Sequence, residues 1–295
     1  MTHFEALVGQ LGADRFLKEV YGREAKLLPH DATWSRGIFD LAALNRILNH
    51  TPLVYPRVRA TDHENSVHKY DLIRDQDRYA NNRNDDLDAE KLTRAIAKGA
   101  TLVIDRVHRL SGPLEDFIDG LANELGMRVS CNAYYSAHKT LGVNAHFDRH
   151  DVFAVQVHGA KRWFYREAPH DLSRPIRAQT SPPVSPGREG WNSVVLRAGD
   201  VFYCPRGVWH FTQTEGSSSA HLAVGLYPAT LRDWLDQLCK GEDMPQLLER
   251  YVQGPAATHD NAHSLLDELL SRLRASSLRA LPRADVAPRP YIDLE

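Results

Sequence analysis

Residues 144–166 read NAHFDRHDVFAVQVHGAKRWFYR, and residues 199–210 read GDVFYCPRGVWH. Both are short strand-like runs, rich in Val, Phe, Tyr and Trp, cut by Gly, Pro and Asp. RVSCNAYYS (128–136), NSVVLR (192–197) and HLAVGLYP (221–228) have the same texture. Short strands at this spacing predict an antiparallel sandwich or barrel. The His170–Gly190 stretch, rich in Ser, Pro and Arg, reads as a long connection between strands.

Outward from this β-rich stretch the pattern turns helical on both sides. Phe4, Leu7 and Leu11, then Phe16, Leu17 and Val20, then Leu41, Leu44, Ile47 and Leu48 recur at helical spacing. Leu53–Arg59 reads as a strand whose Pro56 suggests an edge or bulge. Asp62–Asp86 reads as a polar surface loop, Leu87–Lys98 as a helix ending at Gly99, Thr101–Val107 as a buried strand, and Leu114–Leu125 as a helix after Pro113. Beyond Tyr227, Thr230 and Asp233 suggest a capped helix start, and Leu265, Leu266, Leu269, Leu270 and Leu273 form a further apolar stripe. The expected organisation is an N-terminal helical and strand region (1–127), a β core (128–228) and a C-terminal helical region (229–295).

The chemistry concentrates in His146-Phe-Asp148. In a strand, residues i and i+2 share a face, so one imidazole and one carboxylate aim at one point. A third ligand is expected from His210, which follows a strand and the Pro205-Arg206-Gly207 turn. Two histidines and one carboxylate leave three positions of an octahedral metal open, the pattern of non-haem Fe(II) oxygenases. Structural zinc prefers four closed ligands, usually with Cys. HxD alone is weak, since the chain has 15 His. The strand context and the G-D-x-x-x-x-P-x-G-x-x-H pattern raise it.

Bulk properties bound the rest. The chain has 295 residues, 42% hydrophobic and 25% charged, with a formal net charge of -2. No overall field draws it to nucleic acid or anionic lipid, so direct nucleic-acid binding is not expected. Cys131, Cys204 and Cys239 form no CxxC pair, which suits a cytoplasmic protein. No secretory signal or membrane-spanning helix is expected.

HFDRHDVFAVQVHGAKRWFYRE, GDVFYCPRGVWH and HLAVGLYP together resemble a JmjC or cupin-like 2-oxoglutarate oxygenase, in the protein-hydroxylase branch with ribosomal oxygenases and asparaginyl hydroxylases. FLKEVYGREAKLLP (16–29) resembles the helical lead-in of that family. The strong match spans residues 128–228. The resemblance implies a mostly β core, a double-stranded β-helix (jelly-roll) barrel, flanked by N-terminal and C-terminal helices. It implies Fe(II), with 2-oxoglutarate and O2 as cosubstrates, and hydroxylation of a side-chain carbon in a protein or peptide. It implies that Lys161 holds the far carboxylate of 2-oxoglutarate. That role agrees with physics, because a Lys inside a barrel needs an anion. Asn132 and Tyr134, at i and i+2 on the preceding strand, match positions that help hold the cosubstrate. Thr140, Asn144 and Arg149 are candidates for substrate contact at the mouth. The C-terminal helices suggest a homodimer.

Other residues read as structural. Trp163 and Trp209 read as packing, His158 and His221 as structural or surface imidazoles, and Gln156 faces either the barrel interior or its outer side. The family commonly carries Ser, Thr or Asn on its last core strand, whereas HLAVGLYP reads as apolar there. Alternative functions on the same core are hydroxylation of a free amino acid or other small molecule, N-methyl-lysine demethylation, and a non-catalytic metal-binding cupin with a regulatory role.

Overall fold

The organising element is β5 (Asp151–Arg166), sixteen residues long and central in one antiparallel sheet. On one side it pairs with β6 (Asn192–Arg197) and β7 (Val201–Cys204), on the other with β8 (Trp209–Tyr227). The register breaks between Gln156 and His158 and between Gly159 and Ala160. At Gly159, φ is +62° and an added Cβ would lie 2.0 Å from the Ser218 carbonyl oxygen, so only glycine fits. Such bulges bend long strands, which lets one strand serve both halves of a closed barrel. The structure, a computed structural model, describes residues 2–31, 33–64, 66–74, 85–137, 141–142, 144–166, 190–230, 232–233, 236 and 267–271.

The sheet continues as β1-β7-β5-β8-β4-β3-β2, where β1 is Lys26–Leu28, β2 Val58–Thr61, β3 Thr101–Ile104 and β4 Arg128–Ala137. Leu141 and His146 bridge to Gln213 and His210, adding an edge to the first half of β8. This is the expected double-stranded β-helix.

Helices precede and interrupt the strands: α1 (His3–Val8), α2 (Ala13–Arg15) running into a π-turn (Phe16–Val20), α3 (Leu41–His50), α4 (Ala89–Ala97) and α5 (Gly112–Leu125). Their ends follow the sequence. Thr2 and Glu5 form a capping box, Asp40 and Asp88 accept N-terminal backbone N–H groups, and Gly99 ends α4 with φ of +105°. The strand expected over 53–59 is displaced to β2. Pro56 has no N–H to donate, and Val54 makes only an isolated bridge to Asp86. The strand expected over 101–107 ends at Ile104 and turns into a short 3-10 helix (Val107–Leu110).

An aromatic cluster ties the N-terminal segment to the barrel. Phe16 lies 5.3 Å from Phe153 and 4.9 Å from Tyr203 between ring centroids. Tyr203 accepts the Gly22 N–H at 2.8 Å and donates to the fully buried Asp151 carboxylate at 3.0 Å, which Arg206 Nη1 also meets at 2.7 Å. Ala154, Trp163, Leu196, Phe202, Cys204 and Val208 form the core beside the site.

Residues 1–124 and 129–227 make one compact unit, and residues 125–128 and 228–295 a second. In the second, Thr230 and Asp233 make the expected reciprocal cap: the Asp233 N–H donates to Thr230 Oγ1 at 3.2 Å, and the Thr230 N–H to Asp233 Oδ2 at 2.8 Å. Of the 265–273 stripe only residues 267–271 are described, as helix, and the rest lie outside the described residues together with most of the 170–190 connection. Among the described residues no helix is long and apolar enough to cross a membrane.

Candidate metal centre and its cavity

His146 lies on the edge segment after β4, and His210 is the second residue of β8. The two are backbone partners, so the sheet sets their rings side by side, with centroids 4.4 Å apart. The Asp148 carbonyl accepts the Gly207 N–H at 2.9 Å, which ties the His-x-Asp segment to the turn before His210. One ligand atom from each of His146, Asp148 and His210 lies within 4.8 Å of the others, and His210 Nε2 stands 3.6 Å from Asp148 Oδ2. The three predicted ligands converge.

Each imidazole is oriented by the backbone two residues before it. His146 Nδ1 meets the Asn144 carbonyl at 2.7 Å, and His210 Nδ1 meets the Val208 carbonyl at 3.0 Å. A carbonyl only accepts, so both Nδ1 atoms carry the proton and both Nε2 atoms present lone pairs. Burial, then the charge of His146, pushes His210 down to about 4, which keeps it neutral and ready to ligate at neutral pH.

The centre opens into a cavity of ≈ 290 Å³ that also holds Lys161, Tyr134, Trp163 and His221. Lys161 is 1% exposed. Its Nζ donates to Ser136 Oγ at 3.1 Å, and Ser136 Oγ lies 2.9 Å from Thr101 Oγ1. Among the described residues no carboxylate pairs with it, and burial alone pushes it down to about 7. A buried ammonium with only a hydroxyl for company is costly unless an anion joins it. Burial, then the Asp148 charge, pushes Tyr134 up to about 12, so its hydroxyl remains a donor.

Other candidates distribute unevenly. Asn132 does not line the cavity. Its Oδ1 accepts the Arg106 N–H at 2.8 Å, and its side chain hydrogen-bonds Tyr134, so it backs Tyr134. Asn144 serves His146 through its carbonyl, and neither its side chain nor that of the exposed Arg149 lines the cavity. Thr140 lies outside the described residues. Gln156 is wholly buried, its amide nitrogen donating to the His158 carbonyl at 2.7 Å and to Ser219 Oγ at 2.8 Å. Trp163 packs in the core and lines the cavity at once.

Sequence reasoning missed four contributors. Ser136 sits two residues after Tyr134 on β4, and the two-residue strand period alone could have found it. Arg59 and Thr101 reach the cavity from β2 and β3 through pairing with β4, which no local motif announces. His221, read as structural or surface, is 5% exposed and lines the cavity.

Residues 112–234 match the JmjC domain family. Human Ribosomal oxygenase 1 is 26% identical over 247 residues, which covers 80% of this chain and 36% of that protein. The Drosophila mojavensis protein called Bifunctional lysine-specific demethylase and histidyl-hydroxylase NO66 is 28% identical over 154 residues, 51% of this chain and 16% of that one. The chain therefore spans well under half the length of these curated relatives. Among solved structures, that of Escherichia coli YcfD, a ribosomal oxygenase, in complex with cobalt and 2-oxoglutarate superposes with a TM-score of 0.54 at 14% identity, covering 89% of this chain and 67% of that one. This likeness shows a shared fold.

Proposed function

From a chain whose residues 112–234 match the JmjC domain family, we propose an Fe(II)- and 2-oxoglutarate-dependent oxygenase that hydroxylates a side-chain carbon of a protein or peptide. The observation that carries it is one cavity holding three convergent ligand atoms and, beside them, a buried lysine with no carboxylate partner among the described residues. YcfD, on the same fold, is solved with cobalt and 2-oxoglutarate, which supports the assignment of both groups.

His146 Nε2, the Asp148 carboxylate and His210 Nε2 would hold the iron, with open positions left for other ligands. Lys161 would pair with the far carboxylate of 2-oxoglutarate. The group fits: the donor set suits the metal, and the lone buried ammonium suits an anion. When bound, iron and 2-oxoglutarate supply the oxidising power that puts one atom of O2 into a substrate C–H bond, with succinate and CO2 as coproducts. The protein's own part is position and exclusion of water. Backbone carbonyls fix the two imidazoles, and Trp163, Phe211 and Val152 wall the cavity.

The relatives' names make ribosomal proteins the first substrates to try. The test incubates the purified chain with Fe(II), 2-oxoglutarate and peptides from such proteins, and reads peptide mass. A gain of one oxygen atom supports the reading. Loss of a methyl group from N-methylated lysine peptides alone would replace hydroxylation by demethylation, an activity that the name of the NO66 relative also carries. Oxidation of a free amino acid but no peptide would overturn the protein substrate. Homodimerisation through the C-terminal helices and a cytoplasmic location remain part of the proposal, to be checked by light scattering and by cell fractionation.

A further inference from the structure

We propose that His221 is a second anchor for the anionic cosubstrate, donating a ring N–H to the carboxylate that Lys161 pairs with. This rests on the function proposed above. Two observations converge on it.

The first is placement. His221 stands on β8, lines the cavity and is held on two sides. Its ring stacks flat on Tyr134, with centroids 4.9 Å apart and an interplanar angle of 8°. Trp163 meets it edge-on at 5.6 Å and 80°. A ring so clamped keeps one orientation, which suits a donor that must be in place before its acceptor arrives.

The second is an unmet hydrogen bond. His221 Nδ1 is buried and has no hydrogen-bond partner among the described residues. Among the described residues four of the five such side-chain atoms lie on β5 and β8: Gln156 Oε1, Trp163 Nε1, Thr214 Oγ1 and His221 Nδ1. Thr214 is the cross-strand partner of Lys161, and His221 that of Gln156. Native interiors rarely leave polar atoms unpaired unless an ion, water or ligand completes them. Indole N–H, hydroxyl and imidazole can all donate, as Lys161 Nζ does. Gln156 Oε1 is the one pure acceptor. Of these residues Trp163 and His221 line the cavity with Lys161, and donors beside a buried ammonium suit an anion.

Calorimetry on protein loaded with redox-silent Zn(II) compares 2-oxoglutarate with 2-oxobutanoate, a keto acid without the distal carboxylate. Wild type is expected to prefer 2-oxoglutarate. His221→Phe keeps an aromatic ring in the stack but removes both nitrogens. It should weaken 2-oxoglutarate roughly ten- to hundredfold, the range for a hydrogen bond to a charged group. Affinity for 2-oxobutanoate and for Zn(II) should hold, so the preference shrinks. An unchanged preference, or parallel loss of both keto acids, overturns the proposal, since a packing role would move both together. If His221→Phe does not fold, His221→Asn carries the same comparison and is expected to keep part of the preference; full retention overturns the proposal. If wild type binds 2-oxobutanoate but shows no preference for 2-oxoglutarate, the anchor fails while a metal-bound keto acid survives. If it binds neither, the function proposed above fails and takes the anchor with it.

Discussion

His146 and His210 are direct antiparallel partners: the His146 N–H donates to the His210 carbonyl at 3.0 Å, and the His210 N–H returns the bond at 2.7 Å. Each ring then donates its Nδ1–H to the carbonyl two residues earlier in the chain. The backbone thus places both imidazoles and sets their tautomer, while Trp163 stacks on the His210 ring at 5.4 Å between centroids. Replacing either His by Ala should lower divalent-metal affinity by more than the roughly 10–100-fold that loss of an outer partner costs. Metal titration checks this, and Zn(II) binding unaltered in His210→Ala would remove it from the ligand set.

Gly207 holds the turn that delivers His210. Its φ is +84°, and its N–H bonds the Asp148 carbonyl at 2.9 Å. Gly207→Ala should cost about 1–2 kcal/mol, the penalty for an L-residue in that region. It should also weaken metal binding, because the turn and the His-x-Asp segment move together. Urea denaturation and metal titration on one variant read both. A stability loss with no change in metal affinity would separate the turn from the site.

Lys161 makes a pH prediction. Burial takes it from 10.5 in the unfolded chain to about 7 in the ligand-free fold. Between pH 7 and 10.5 the unfolded state holds more protons, so stability rises with pH there. Below pH 7 both states are protonated and the full penalty applies. Ligand-free Lys161→Met should therefore be more stable than wild type at pH 6, with the gap closing from pH 7 to 10.5. Equal denaturation midpoints at pH 6 would show that the buried charge is not the cost. Binding of 2-oxoglutarate at pH 8 should take up a proton, seen as a buffer-dependent heat.

Arg206 neutralises Asp151, which is 0% exposed. Arg206 gives it Nη1 at 2.7 Å and its backbone N–H at 3.1 Å. Arg206→Ala leaves a buried carboxylate without its cation, so a loss of about 3–5 kcal/mol is expected. Chemical denaturation measures it, and a loss below about 1 kcal/mol would mean that water reaches Asp151.

The residues readable from sequence are those whose geometry is local. His146 and Asp148 share a strand face by spacing, and the Gly-Asp to Pro-x-Gly pattern pointed to His210. The role of Lys161 comes from the resemblance alone, and the fold buries that side chain to 1% exposure. His221 resisted for a physical reason. It lies eleven residues after His210 on one continuous strand, an odd separation that strict alternation sends to the opposite face. The register shows why alternation fails: β8 passes from Glu215 to Ser219 while β5 moves only from Ala160 to Gly159. The three extra residues reverse the phase and return His221 to the cavity. Arg59 and Thr101 were hidden differently, since only the β2-β3-β4 pairing carries them to the site.

The most direct measurement is Fe(II)-dependent conversion of 2-oxoglutarate to succinate, compared between wild type and a folded His146→Ala variant in the presence of candidate ribosomal-protein peptides. The predicted result is succinate from wild type, stimulated by at least one peptide, and none above background from the variant. No turnover by wild type with or without peptide, or equal turnover by the variant, would contradict an oxygenase centred on His146, Asp148 and His210.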